Sequence, residues 1–125
     1  MDAKILYIED NPMNMRLVRK MLKMGGFGMF EAISGTSGLE MAEQIKPDII
    51  LLDINLHDID GTEVTTRLKQ NHELQHIPII AVTANAMYGD RERFLEAGYD
   101  GYLSKPLNRQ VLLETVEGFL DKQKT

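Results

Sequence analysis

Ile49-Ile50-Leu51-Leu52-Asp53 decides how this chain reads. Four consecutive large apolar residues leave no face for water. The segment therefore reads as a strand buried on both sides, in the middle of a parallel sheet. The run ends on a carboxylate, and three other apolar runs also end on polar side chains. Lys4-Ile5-Leu6-Tyr7-Ile8 leads into Glu9-Asp10, Pro78-Ile79-Ile80-Ala81-Val82 into Thr83, and Gly101-Tyr102-Leu103-Ser104 into Lys105-Pro106. In an open parallel sheet the carboxyl ends of such strands line one edge, and ligands bind there, where the strand order reverses. The sequence thus predicts that Glu9, Asp10, Asp53, Thr83 and Lys105 converge on one spot.

Outward from these runs, a short apolar segment, a turn and an amphipathic segment alternate along the chain, as in a parallel sheet with helices on both faces. Strands are expected near 4–8, 28–33, 48–52, 78–82 and 101–104, and helices near 12–24, 36–45, 61–70, 87–96 and 108–121. Pro12 suits a first helical turn, where its missing N–H costs nothing. Gly25-Gly26 stops that helix, and Pro47 blocks continuation of the next. Leu39, Ala42 and Ile45 share one helix face, and Val64 and Leu68 share another. In the last helix Val111-Leu112, Val116 and Phe119-Leu120 form a core-facing stripe, with Asn108 as N-cap. The strand containing Glu31 carries the weakest signal. Strict alternation and right-handed crossovers fit an α/β, flavodoxin-like five-stranded sheet of order 2-1-3-4-5. That order sets strands 1 and 3 side by side, so Glu9, Asp10 and Asp53 become neighbours.

Composition bounds the function. The 125 residues are 43% hydrophobic and 26% charged, the size and balance of one globular domain, here 1–125. No apolar run approaches the roughly 20 residues of a membrane span, and Met1-Asp2-Ala3-Lys4 leaves no room for a signal peptide. No cysteine is present, so a disulfide framework and a thiolate metal site are excluded, and a cytoplasmic setting fits. A net charge of −5 and the lack of a basic cluster argue against nucleic-acid and membrane partners.

Three carboxylates brought together repel, so one takes up a proton or a cation sits among them. Oxygen ligands without His or Cys select Mg²⁺, or an ion like it such as Mn²⁺. A carboxylate held against such an ion can act as a nucleophile toward phosphorus, with transfer assisted by positioning and charge neutralisation. Thr83 can donate a hydrogen bond to the transferred group, and Lys105 can pair with its charge.

The chain resembles the receiver domain of two-component response regulators, the CheY-like family, over nearly its whole length. The matching pieces are Ile8-Glu9-Asp10-Asn11, Leu51-Leu52-Asp53, Asp60-Gly61, Val82-Thr83-Ala84 and Ser104-Lys105-Pro106. The resemblance implies that Asp53 accepts phosphate from a phosphohistidine on a histidine kinase or histidine phosphotransfer protein. It implies that Glu9, Asp10, Asp53 and the backbone carbonyl of Asn55 serve Mg²⁺, and that Thr83 and Lys105 contact the phosphoryl group. Tyr102 stands at the aromatic position that turns inward when Thr83 shifts, and Lys105–Pro106 is expected to be a cis bond. Output then passes from helix 4, strand 5 and helix 5 to a downstream protein target, the chain being a monomer or weak dimer. Glu9-Asp10-Asn11-Pro12-Met13-Asn14 is closer to stand-alone regulators of the DivK type, and to receivers of hybrid kinases, than to transcription-factor receivers. One departure is His57, which stands where receivers often carry proline; it is expected to loosen that loop and leave the acid site untouched.

Other readings stay open. A phosphorylation-independent pseudo-receiver would bind partners through the same fold. A haloacid-dehalogenase-type phosphatase needs a second Asp two residues after the nucleophile, where this chain has Asn55. A flavodoxin needs a Ser/Thr/Gly-rich phosphate loop after strand 1. The chain could also be a receiver fragment of a hybrid kinase, although the start at Met1 and the short polar tail favour a complete protein. His57, His72 and His76 read as exposed loop or helix-end residues. Met13, Met15, Met21 and Met24 read as core and helix-surface packing. Asn55 and Asn85 flank the route of attacking water and are expected to tune the phosphoryl lifetime.

Overall fold

The computed structural model describes residues 3–84 and 90–123. The elements alternate without exception: β1 (Ile5–Ile8), α1 (Pro12–Met24), β2 (Phe30–Ala32), α2 (Gly35–Ile45), β3 (Ile49–Asp53), α3 (Gly61–Gln70), β4 (Ile79–Thr83), α4 (Asp90–Glu96), β5 (Gly101–Ser104) and α5 (Arg109–Gln123). All four strand pairings are parallel, and the sheet runs β2-β1-β3-β4-β5. This is the expected α/β, flavodoxin-like order.

Strand periodicity sorts the core into two layers, because successive side chains point to opposite faces. Leu6, Ile8, Ile50, Leu52, Ile79 and Ala81 face α2, α3 and α4, where Ala42, Val64, Leu68 and Phe94 cover them. Ile5, Tyr7, Ile49, Leu51, Ile80 and Val82 face α1 and α5, against Val18, Leu22, Leu112 and Val116. Every residue of β3 and β4 is buried, as the unbroken apolar runs require. Each fully buried Leu or Ile contributes about 2 kcal/mol of transfer free energy, so the carboxyl edge rests on a stiff platform.

Local chemistry sets the boundaries. Asn11 caps α1, its side chain accepting from the Met13 and Asn14 N–H groups, with Pro12 in the first turn. Asn108 caps α5 by accepting from the Val111 N–H at 3.1 Å. Ser34 and Ser37 form a reciprocal capping box on α2.

Several expectations need correcting. β2 is three residues long rather than the six of 28–33, with Phe30 42% exposed at the sheet edge; a lone edge strand gains ladder bonds on one side only. β3 and β4 each include their terminal polar residue, Asp53 and Thr83, as a full strand position. Val111 does not join the core stripe and is 49% exposed, whereas Leu112, Val116 and Leu120 are buried. The four methionines of α1 take the expected core and helix-surface places: Met15 is core, Met21 packs against it, and Met13 and Met24 are exposed. The start of the helix expected at 87–96, and Asn85, fall outside the described residues.

Candidate functional site

The β1–β3 pairing sets Ile8 opposite Leu52, so Glu9 and Asp53 leave adjacent strands at the same level. One carboxylate oxygen each from Glu9, Asp10 and Asp53 lies within 4.8 Å of the others. Glu9 and Asp53 are almost fully buried, at 1% and 4% exposure. Glu9 Oε1 accepts from the Tyr7 hydroxyl at 2.8 Å and from Lys105 Nζ at 3.0 Å. The Asn11 N–H donates to Glu9 Oε2 at 3.3 Å. Asp53 Oδ2 accepts from Lys105 Nζ at 3.2 Å, and Asp53 Oδ1 from the Asn55 N–H at 2.9 Å. Lys105 therefore bridges two of the three carboxylates.

β5 delivers that lysine. Ser104 pairs with Thr83, and the Lys105 N–H extends the ladder by donating to the Thr83 carbonyl at 2.8 Å. The Lys105–Pro106 peptide bond is cis. Thr83 is fully buried, one residue beyond Val82, which pairs with Asp53. Tyr102 lies further back on β5, half-buried opposite Ala81. Its ring packs on Phe94 of α4, with centroids 5.4 Å apart, and Phe94 meets Tyr99 edge-on. Asn55 is exposed, its N–H turned toward Asp53.

The loop after β3 is built to a tight tolerance. Asp60 caps α3 by accepting from the Thr62 N–H at 2.8 Å. Gly61 is pressed against the chain leaving Asp53: a Cβ there would come within 2.6 Å of Ile54 Cα, closer than van der Waals contact allows. Asp58 reaches across to α2 and accepts from the Gly35 and Thr36 N–H groups, both at 2.9 Å. Those backbone bonds hold its carboxyl well below the usual range.

His57 overturns the expectation that it leaves the acid site untouched. Its N–H donates to Asp10 Oδ2 at 3.0 Å, and its Nδ1 is in ion-pair contact with the same oxygen. His72 and His76 are exposed, as expected.

Burial and the neighbouring Glu9 push the Asp53 carboxyl up to about 6 from 3.8, against the Asn55 N–H and Lys105, which pull it down. Burial also raises Glu9, but hydrogen bonds to Asp53, Lys105 and Tyr7 outweigh it and leave that carboxyl below its ordinary value. Burial lowers the Lys105 ammonium, and the two carboxylates more than restore it. Burial and Glu9 raise the Tyr7 hydroxyl, so it stays protonated and donates. Two buried carboxylates share one ammonium, and a third stands beside them. An all-oxygen set with surplus negative charge fits a hard divalent cation.

Comparison with known proteins agrees with this geometry. The response regulator receiver domain profile matches residues 5–117. The chain belongs to the response regulator receiver family. It is 42% identical over 120 residues to the polar-differentiation response regulator DivK of Brucella ovis, a match covering 96% of this chain and 98% of that protein. Among solved structures, the receiver domain of a Pseudomonas aeruginosa sensor histidine kinase, with magnesium coordinated in its active-site cleft, is 35% identical. It superposes with a TM-score of 0.88 over 97% of this receiver and 99% of that chain. The Vibrio cholerae chemotaxis protein CheY4 superposes with a TM-score of 0.88 at 25% identity, over 96% of this chain and all of that one. This receiver is thus a two-component signalling module rather than a conventional enzyme, and no described helix is long and apolar enough to cross a membrane.

Two contributors escaped the sequence reading. Tyr7 was legible only as an apolar strand residue, although it is the one member of its run with a hydroxyl to place. His57 was legible as a departure from proline, but its reach to Asp10, 47 positions away, was not.

Proposed function

We propose that Asp53 is the phosphoacceptor of this receiver, charged by a histidine kinase or histidine phosphotransfer protein. An Asp53 carboxylate oxygen attacks the phosphorus of a phosphohistidine. The new O–P bond forms an acyl phosphate as the P–N bond breaks, and the imidazole nitrogen leaves with the electron pair. What carries this reading is the convergence of three carboxylates and one ammonium at the carboxyl edge. Glu9, Asp10, Asp53 and the backbone carbonyl of Asn55 would hold Mg²⁺, or Mn²⁺ in its place. When bound, that ion supplies charge neutralisation for the incoming phosphoryl oxygens.

The chain's own residues do the rest. Lys105 already sits 3.2 Å from Asp53, placed to pair with the phosphoryl charge. Thr83, at the end of the neighbouring strand, donates its hydroxyl to a phosphoryl oxygen. Burial of Asp53 keeps bulk water from it. Phosphorylation adds roughly −1.5 to −2 charges. Drawing Thr83 inward frees the space into which Tyr102 turns, and Tyr102 is coupled to α4 through Phe94. The product is a population shift of the α4–β5–α5 surface, read by a downstream protein in the cytoplasm.

Intact mass after incubation with acetyl phosphate and Mg²⁺ tests this. The expected result is one phosphoryl adduct on the wild type, none without Mg²⁺, and none on Asp53→Ala. No adduct on the wild type, with berylliofluoride also failing to perturb it, makes the chain a phosphorylation-independent binding module instead.

A further inference from the structure

The role of His57 rests on the cation-site reading above and goes beyond it. Proline at position 57 would carry no N–H. Histidine supplies that N–H and an imidazole nitrogen, and both fall on one atom. The backbone N–H donates to Asp10 Oδ2 at 3.0 Å, and Nδ1 is in ion-pair contact with the same oxygen. Asp10 projects from the end of β1 and His57 from the loop after β3, so the pair ties the two strand ends that form the site.

We propose that His57 is a positioning residue for Asp10 and strengthens divalent-cation binding. With Oδ2 held from the loop side, the Asp10 carboxylate is fixed beside Glu9 and Asp53. Both groups act on a ligand rather than on the ion, which is how outer-layer partners of metal-binding carboxylates work; losing such a partner typically weakens binding about 10- to 100-fold. The imidazole itself is 92% exposed. An exposed pair of this kind contributes little to folding, so the effect is expected in cation affinity and not in stability.

Four proteins decide it: wild type, His57→Ala, His57→Pro and His57→Asn. Free Mn²⁺ is counted by electron paramagnetic resonance in titrations at one fixed pH for all four proteins. Mg²⁺ competition then gives its affinity. His57→Ala, which keeps the N–H, is expected to bind Mn²⁺ several-fold more weakly. His57→Pro, which loses both contacts, is expected to fall about 10-fold or more. His57→Asn offers an amide N–H near the place of Nδ1 and is expected to recover most of the loss, with melting temperatures level across the alanine, asparagine and wild-type proteins. A wild type that binds Mn²⁺ while Ala and Asn variants bind equally well overturns the role of His57 alone. Variants that bind more tightly also overturn it, because His57 would then be competing for Asp10. A wild type that takes up no Mn²⁺ removes the cation site itself, and His57 with it. If His57→Pro melts early, the alanine and asparagine variants still decide.

Discussion

Two charge clusters in this molecule look alike by distance and differ by burial. On the β2 edge, Arg19 grips Glu31 with a two-pronged guanidinium, Nη2 lying 2.6 Å from Oε1. At the carboxyl edge, Lys105 lies 3.0 Å from Glu9 and 3.2 Å from Asp53. The shorter contacts are the less consequential. Arg19 and Glu31 side chains are 50% and 32% exposed, so water screens the pair and already solvates its partners. The side chains of Lys105, Glu9 and Asp53 are 19%, 0% and 5% exposed, so whatever charge is unmatched there stays unmatched. The edge pair is one cation for one anion. The buried cluster sets one ammonium against three carboxylates, and that imbalance is what a cation or a phosphoryl-transfer reaction can exploit.

The largest expected effect comes from emptying the cation position. Lys105→Met keeps most of the side-chain stem but strands Glu9 and Asp53. Removing one partner of a buried charge cluster costs about 3 to 5 kcal/mol. Without Lys105 both carboxyls rise, Asp53 further above its ordinary value and Glu9 from below its own. A carboxyl raised in the folded state favours folding while protonated and loses that contribution as pH climbs through its folded value. The deficit of Lys105→Met relative to wild type is therefore expected to be large at pH 8 and to shrink toward pH 5, measured by urea unfolding at each pH. A deficit independent of pH would locate the loss in packing of the stem, and the contrast with the exposed pair would collapse.

Asp53→Asn works in the opposite direction and is smaller. Asp53 titrates near 6 when folded, against 3.8 ordinarily, so its favourable contribution is complete below about 4 and is lost as pH rises through 6. At pH 8 the ionised carboxylate then costs at most about 3 kcal/mol, and a neutral isostere escapes that cost. Asp53→Asn is expected to melt above wild type at pH 8, with the gap closing near pH 4. Melting below wild type at pH 8 would mean that attraction to Lys105 exceeds repulsion from Glu9, against the direction of the Asp53 shift.

The sequence disclosed this site because its residues end hydrophobic strands. The apolar runs fix β1, β3, β4 and β5, the alternation fixes their order, and order alone brings Glu9, Asp53, Thr83 and Lys105 to one edge. Apolar patterning fails where the partner is polar and distant. β2 carries little apolar signal; Glu31 is held there by Arg19 from α1, so no pattern local to the strand marks its limits. Val111 reads as core on hydrophobicity, yet it takes the solvent side of α5 beside the buried Leu112. Tyr7 and His57 act through single hydrogen bonds to Glu9 and Asp10, and a single hydrogen bond leaves no periodic trace.

The exposed pair supplies the smallest effect and the sharpest control. Arg19→Ala deletes the shortest ion-pair contacts of the β2 edge, and its carboxylate partner keeps access to water. The melting temperature is expected to stay within the scatter of repeated scans, and acetyl-phosphate labelling is expected to match wild type. Added salt discriminates further. Salt weakens interactions between exposed charges, with a Debye length of about 10 Å at 0.1 M ionic strength, and weakens those between buried charges much less. Raising salt should thus erase any small difference between Arg19→Ala and wild type while leaving the Lys105→Met deficit in place. A salt-resistant loss in Arg19→Ala would show that the guanidinium stem clamps β2 onto the sheet by packing. Burial would then divide the two clusters less cleanly than their exposures imply.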